Sequence, residues 1–108
     1  MEKYRDQDYK VISLPKLNGL KPTLESTALK LMEEAGELAQ AIGKFRGQSG
    51  EDLIMDEKNV VAKMAEELLD VAQVAVSMMF VLEESYDIDI NAKVGEHIDK
   101  LREKGYIK

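Results

Sequence analysis

The stretch Met64–Leu82, M-A-E-E-L-L-D-V-A-Q-V-A-V-S-M-M-F-V-L, contains no Gly or Pro and is long enough for about five helical turns. From Leu68 onward only Asp70, Gln73 and Ser77 are polar. A helix apolar nearly all round is buried on most of its sides, so this stretch predicts a central helix. Its N-terminal end nevertheless carries Glu66, Glu67 and Asp70. Burying carboxylates is costly unless positive charge meets them. The upstream run Glu33-Glu34-Ala35-Gly36-Glu37 brings more carboxylates, not the missing cation. A divalent cation held between two helices satisfies both stretches at once.

Working outward, the upstream run sits on a second amphipathic segment. Thr23, after Pro22, is a good N-cap, and Glu25 suits a first helical turn. The helix is expected to run to about Arg46. Leu24, Ala28, Leu31, Ala35, Leu38, Ile42 and Phe45 recur by fours and threes and predict one continuous apolar stripe. Glu34 falls on the shoulder of that stripe and Glu37 further round, in a neighbouring row with Lys30 and Ala41. Gly36 inside a helix costs about 1 kcal/mol relative to alanine. It reads equally as a point of close approach and as a tolerated surface residue.

Gly47-Gln48-Ser49-Gly50 ends this helix and opens a loop to about Asp56, in which Leu53, Ile54 and Met55 are expected to plug back onto the core. Asp56 is a candidate cap for the central helix, read as Glu57 to about Glu84. On it Lys63, Glu67, Asp70, Val74 and Ser77 share one row. Asp89 is a further N-cap, and a last helix is expected over Ile90 to Glu103, with Ile90, Val94, His97 or Ile98, and Leu101 facing inward. Residues 1–22 read as an N-terminal arm and loop; Lys16 and Lys21 there are surface lysines first and a basic flap over a phosphate ligand second. The chain reads as one domain, residues 1–108, with its helical core over residues 23–108.

The composition agrees. The 108 residues are 44% apolar and 33% charged, with two prolines and no tryptophan, as in helical bundles. A formal net charge of −6 argues against broad binding to nucleic acid or anionic membranes. There is no cysteine, hence no disulfide and no thiolate metal site. The longest apolar run, Val74–Leu82, is broken by Ser77 and too short to span a bilayer. No N-terminal apolar run resembles a signal peptide, so a cytoplasmic protein is expected.

Two acid pairs carry the chemistry: Glu34 with Glu37, and Glu67 with Asp70. Each is spaced i,i+3 and projects from one helix face. If the helices pack antiparallel, the four carboxylates converge. Hard oxygen ligands of this kind suit Mg²⁺ or Mn²⁺ rather than zinc. Mg²⁺ keeps several waters and is usually completed by substrate phosphates. Glu33 and Glu66 are spare acids for orienting or deprotonating a water. Lys30 and Lys63 are surface or ion-pair residues first and phosphate contacts second; Lys44 and Arg46 read the same way.

The run Leu31-Met32-Glu33-Glu34-Ala35-Gly36-Glu37-Leu38-Ala39-Gln40-Ala41-Ile42 resembles the first motif, Glu-Glu-x-x-Glu, of MazG-like nucleoside triphosphate pyrophosphohydrolases. Glu67-Leu68-Leu69-Asp70 matches the second family motif, Glu-x-x-Asp, on the next helix. The resemblance covers about Thr23 to Tyr106. It implies an all-α helical bundle completed by oligomerisation, as a homodimer or a dimer-based homotetramer. It implies Mg²⁺ at Glu34, Glu37, Glu67 and Asp70, with Glu33 nearby. It also implies hydrolysis of a nucleoside triphosphate between its α and β phosphates to a monophosphate and pyrophosphate. Two rival readings stand beside this one: a phosphoribosyl-ATP pyrophosphohydrolase, and a non-catalytic helical interaction module. A di-iron carboxylate bundle is set aside, because it normally wants two Glu-x-x-His units and the chain has a single histidine.

Overall fold

A computed structural model describes residues 8–47 and 57–108. The expected plug Leu53-Ile54-Met55 and the Asp56 cap lie outside them. Three helices follow one another: α1 (Leu24–Phe45), α2 (Glu57–Tyr86) and α3 (Ile90–Glu103). No strand occurs among the described residues, and the all-α class read from the sequence holds.

The helix ends are written in local chemistry. The Ser26 amide donates to Thr23 Oγ1 at 3.0 Å and the Thr23 amide donates to Ser26 Oγ at 2.8 Å, a reciprocal cap on α1. Such caps are worth about 1 kcal/mol. Asp89 Oδ1 accepts from the Ala92 amide at 3.1 Å and starts α3. Gly47 and Gly105, at φ 70° and 78°, close α1 and α3 in the left-handed region that glycine enters without strain. At the end of α2 that role falls to Asp87 at φ 54°, with the Ile88 amide closing onto Leu82 O at 3.1 Å. Aspartate tolerates this region better than most residues.

Helix α1 packs along α2, while α3 makes marginal contact with α2 and buries none of its residues. The seam differs from the sequence expectation in one respect. Leu24, Leu31, Leu38 and Phe45 face inward as expected, but the residues alternating with them are Thr27, Glu34 and Ala41. Ala28, Ala35 and Ile42 are exposed. Both sets satisfy a three-four spacing, so periodicity cannot separate them; Glu34 lies inward, close to Glu67 and Asp70 of α2. Ala28, Met32, Ala35, Ala39 and Ile42 thereby form a second apolar stripe on the outer side of α1. A Cβ at Gly36 would meet nothing within 4 Å, so the α1–α2 approach does not require glycine there.

The core of the chain is thin. Val60 and Val81 are its buried apolar residues among those described, and no side chain is completely buried. Leu68 and Leu69 of the central stretch remain 55% and 51% exposed, because no third helix covers that side. The radius of gyration is 17.2 Å, against about 13 Å for a compact domain of this length. So the burial that the sequence demands of α2 is only half met within the chain. His97 is exposed as well, and Ile98 takes the inward position on α3.

Candidate metal centre

The α1–α2 seam is built to bring acids together at mid-height. Carboxylate oxygens of Glu34, Glu67 and Asp70 all lie within 4.8 Å of one another. Glu34 and Glu67 are buried, at 8% and 7% exposure, whereas Asp70 is open. One oxygen of each buried acid is neutralised by a lysine one turn earlier on its own helix. Lys30 Nζ lies 3.2 Å from Glu34 Oε1, and Lys63 Nζ lies 3.1 Å from Glu67 Oε1. The other oxygen of each, Glu34 Oε2 and Glu67 Oε2, has no hydrogen-bond partner among the described residues. Buried polar atoms are nearly always satisfied, and two orphaned oxygens on clustered carboxylates are a group that could hold a cation.

The donor set fits a hard dication. Opposite ligands across an octahedral ion with bonds of about 2.1 Å stand about 4.2 Å apart, and the 4.8 Å spread needs only a small side-chain closure to reach that. All three donors are carboxylates, as Mg²⁺ and Mn²⁺ prefer. The electrostatics agree. Glu37 holds its proton more tightly than a free glutamate, mainly because the Glu34 carboxylate repels its charge, then because of desolvation, and then because of Glu67. Lys30 is raised, chiefly by its hydrogen bond to Glu34 and then by the charge of Glu33. Lys63 is raised chiefly by its hydrogen bond to Glu67. The centre is thus a pocket of excess negative charge held by two exposed lysines.

Of the residues singled out in the sequence, Glu34, Glu67 and Asp70 converge. Glu37 stands exposed beside that group, within electrostatic reach of Glu34 and Glu67. Glu33 points outward and pairs with Lys30 at 3.7 Å. Lys30 and Lys63 reach the centre as ion-pair partners, the first of the two roles read for them.

Two hollows flank the carboxylates. One, of about 450 Å³, lies under residues 17–22, with Leu17, Leu20, Pro22 and Val74 in its walls and Glu34 and Asp70 at its edge. The other, of about 630 Å³, lies toward the start of α2, with Gln40, Asn59 and Lys63 in its walls and Glu37 and Glu67 at its edge. The segment over the first hollow is tied to α2 at two points: Gln73 Nε2 donates to Pro15 O at 2.9 Å, and Lys16 pairs with Glu84. Sequence reasoning missed both ties. Nothing in the spacing of residues 58 and 68 positions apart could announce them. It did place Ser77 on the row of Glu67 and Asp70, and Ser77 is indeed buried there.

No helix among the described residues is long and apolar enough to cross a membrane. Residues 22–105 match the family model described as the MazG nucleotide pyrophosphohydrolase domain. All five acids of the two motifs fall inside the matched span. No curated protein and no solved structure matches the chain.

Proposed function

The chain belongs to the MazG nucleotide pyrophosphohydrolase family, and from that premise we propose that it is a Mg²⁺-dependent hydrolase of nucleoside triphosphates, ribo or deoxyribo. The bond broken is the anhydride between the α and β phosphates, and the products are a nucleoside monophosphate and pyrophosphate. The observation that carries the reading is the pair of orphaned buried oxygens, Glu34 Oε2 and Glu67 Oε2, in a carboxylate group completed by Asp70. Glu34, Glu67 and Asp70, with Glu37 beside them, would hold Mg²⁺, and Mn²⁺ would serve in its place. When bound, such an ion polarises phosphoryl oxygens and acidifies a coordinated water.

The chain's own groups do the rest. The exposed Glu33 and Glu66, which are not needed as ligands, are in the same neighbourhood as proton acceptors for the attacking water. Lys30 and Lys63 hold positive charge next to the acids. They can turn to phosphate oxygens once the carboxylates they neutralise are otherwise engaged. The exposed outer stripe of α1 and the half-exposed α2 are covered, in this reading, by a second copy of the chain, giving a homodimer or dimer-based homotetramer. The site of action is the cytoplasm, where nucleoside triphosphates are abundant.

The test is a panel of ribo- and deoxyribonucleoside triphosphates, modified ones included, incubated with Mg²⁺, with products identified. Monophosphate plus pyrophosphate, abolished by chelator, is the expected result. Silence across the panel with intact Mg²⁺ binding would redirect the reading to a specialised substrate such as phosphoribosyl-ATP. Silence without metal binding would favour an interaction module.

Mg²⁺ is also expected to raise the melting temperature. A ligand at a hundred times its Kd contributes about 2.7 kcal/mol, which corresponds to about 10 °C or more in a domain of this size. The sign with pH follows from Glu37. Its raised value means that, without metal, its contribution to stability is present below the unfolded carboxylate value and lost as pH rises through the folded one. The ion needs ionised carboxylates. The Mg²⁺-induced shift therefore grows from acid toward neutral pH and vanishes on acidification, as scanning fluorimetry in buffers from pH 4 to pH 8 (about one unit apart) would read. A shift independent of pH would contradict carboxylate ligation.

A further inference from the structure

The two hollows beside the carboxylates differ in kind, and that difference gives the substrate a direction. Leu17, Leu20, Pro22 and Val74 wall the hollow under residues 17–22, which Lys21, Lys30, Glu34 and Asp70 also line, and its volume of about 450 Å³ lies in the range of small-molecule sites. Most of its uncharged polar groups are already engaged. Thr27 Oγ1 is spent on Thr23 O at 2.7 Å and Leu24 O at 3.0 Å. Ser26 Oγ is spent on the α1 cap. Gln73 Nε2 is spent on Pro15 O. Ser77 is the exception. It is 6% exposed, lines this hollow and the adjoining space beneath residues 16–22, and its Oγ has no hydrogen-bond partner among the described residues. A hydroxyl buried beside apolar walls without a partner is costly and well suited to a ligand edge that offers both a donor and an acceptor.

We propose that the substrate lies across the carboxylate centre in one direction, with its nucleobase in the hollow under residues 17–22, where Ser77 reads one edge of the base. The β and γ phosphates then extend into the opposite hollow, which Lys44, Lys63, Gln40 and Asn59 line together with Glu37, Glu66 and Glu67. This rests on the reading of the chain as a nucleoside triphosphate pyrophosphohydrolase. The scissile anhydride falls between the hollows because Glu34 and Asp70 border the first and Glu67 borders the second. Lys30, which lines the first hollow beside Glu34, meets the α-phosphate. The reverse orientation would leave the base without the aliphatic walls of Leu17, Leu20 and Val74 and without Ser77. No aromatic side chain among the described residues lines the first hollow; the aliphatic walls and hydrogen bonds at the base edge supply its selectivity.

The experiment compares calorimetric binding of ribonucleoside and deoxyribonucleoside 5′-monophosphates with that of ribose 5-phosphate, which lacks a base. Wild type, Ser77→Ala and Ser77→Leu are each measured with Mn²⁺ present. In the wild type at least one nucleotide is expected to bind tenfold or more tighter than ribose 5-phosphate. Ser77→Ala narrows the spread among bases about threefold to tenfold, the worth of one hydrogen bond. Ser77→Leu, which fills the hollow, removes the advantage over ribose 5-phosphate while Mn²⁺ affinity is retained. Equal binding of ribose 5-phosphate and every nucleotide to the wild type overturns the proposal, as does an unchanged ranking in both variants. Base-dependent binding that responds to Ser77 without hydrolysis of any triphosphate would sustain this site and sink the enzymatic reading. Hydrolysis with a ranking indifferent to Ser77 would do the opposite.

Discussion

Replacing Glu67 with Gln is expected to lower Mg²⁺-dependent turnover by about three orders of magnitude, equivalent to about 4 kcal/mol of barrier, and to leave the metal-free protein at least as stable. Both halves follow from the same side chain. Glu67 is 7% exposed, one oxygen faces Lys63 at 3.1 Å, and the other has no partner among the described residues. Without a cation that buried charge is poorly compensated, and it adds to the repulsion that Glu37 registers. Glutamine keeps the shape, removes the charge and offers an amide that Glu34 or Asp70 can accept from. The cost is the Lys63 pair, whose lysine is 58% exposed and returns to water; such pairs are worth at most about 1 kcal/mol. The variant therefore trades function for stability, as buried functional groups commonly do. Steady-state kinetics with Mg²⁺ and a thermal melt in chelator read the two halves separately. Undiminished turnover would remove Glu67 from the metal set. A collapsed metal-free fold would make it a structural residue.

The second large effect is expected at Leu68. Leu68→Lys, combined with Met32→Lys, should convert an assembly into free chains of 12.2 kDa and lower the melting temperature steeply. The chain alone buries two apolar residues among those described, while Leu68 is 55% and Met32 75% exposed. Covering a leucine or methionine of this size contributes about 1.5–3 kcal/mol. Placing an ammonium in such an interface both forfeits that gain and desolvates a charge. Analytical ultracentrifugation at micromolar concentration decides the matter. Wild-type protein sedimenting as a well-folded monomer would refute the argument outright, because α2 would then be stable with its apolar side in water.

Much of this was legible in the sequence, and the unread parts have physical causes. The caps at Thr23 and Asp89 are short-range chemistry, and the helices begin where they stand. Glu34, Glu67 and Asp70 were identified because acids on apolar helices need a reason to be there. The inward set on α1 was misassigned because small apolar residues also line the outer side: Ala28, Ala35 and Ile42 match the period as well as Thr27, Glu34 and Ala41 do. A hydrophobic count favours alanine over glutamate for the seam, whereas the structure places Glu34 there beside Glu67 and Asp70. A flap at Lys16 and Lys21 is among the sequence readings, but its ties, Gln73 to Pro15 and Lys16 to Glu84, are set by tertiary geometry alone and were not foreseen.

That covering has a kinetic consequence. Among the described residues, 14–22 are tied to α2 by the Gln73–Pro15 hydrogen bond and the exposed Lys16–Glu84 ion pair, with Leu14, Leu17 and Pro22 half-buried. A hydrogen bond nets about 1 kcal/mol, and an exposed pair no more than that. Lifting this segment costs far less than parting α1 from α2, so it opens as a local event within an otherwise native molecule. Loop motions of this size run in nanoseconds to microseconds, orders of magnitude faster than the median enzymatic turnover of about 10 per second. If a base binds beneath residues 17–22 as proposed, its entry and departure need only this local opening and not the parting of the two helices.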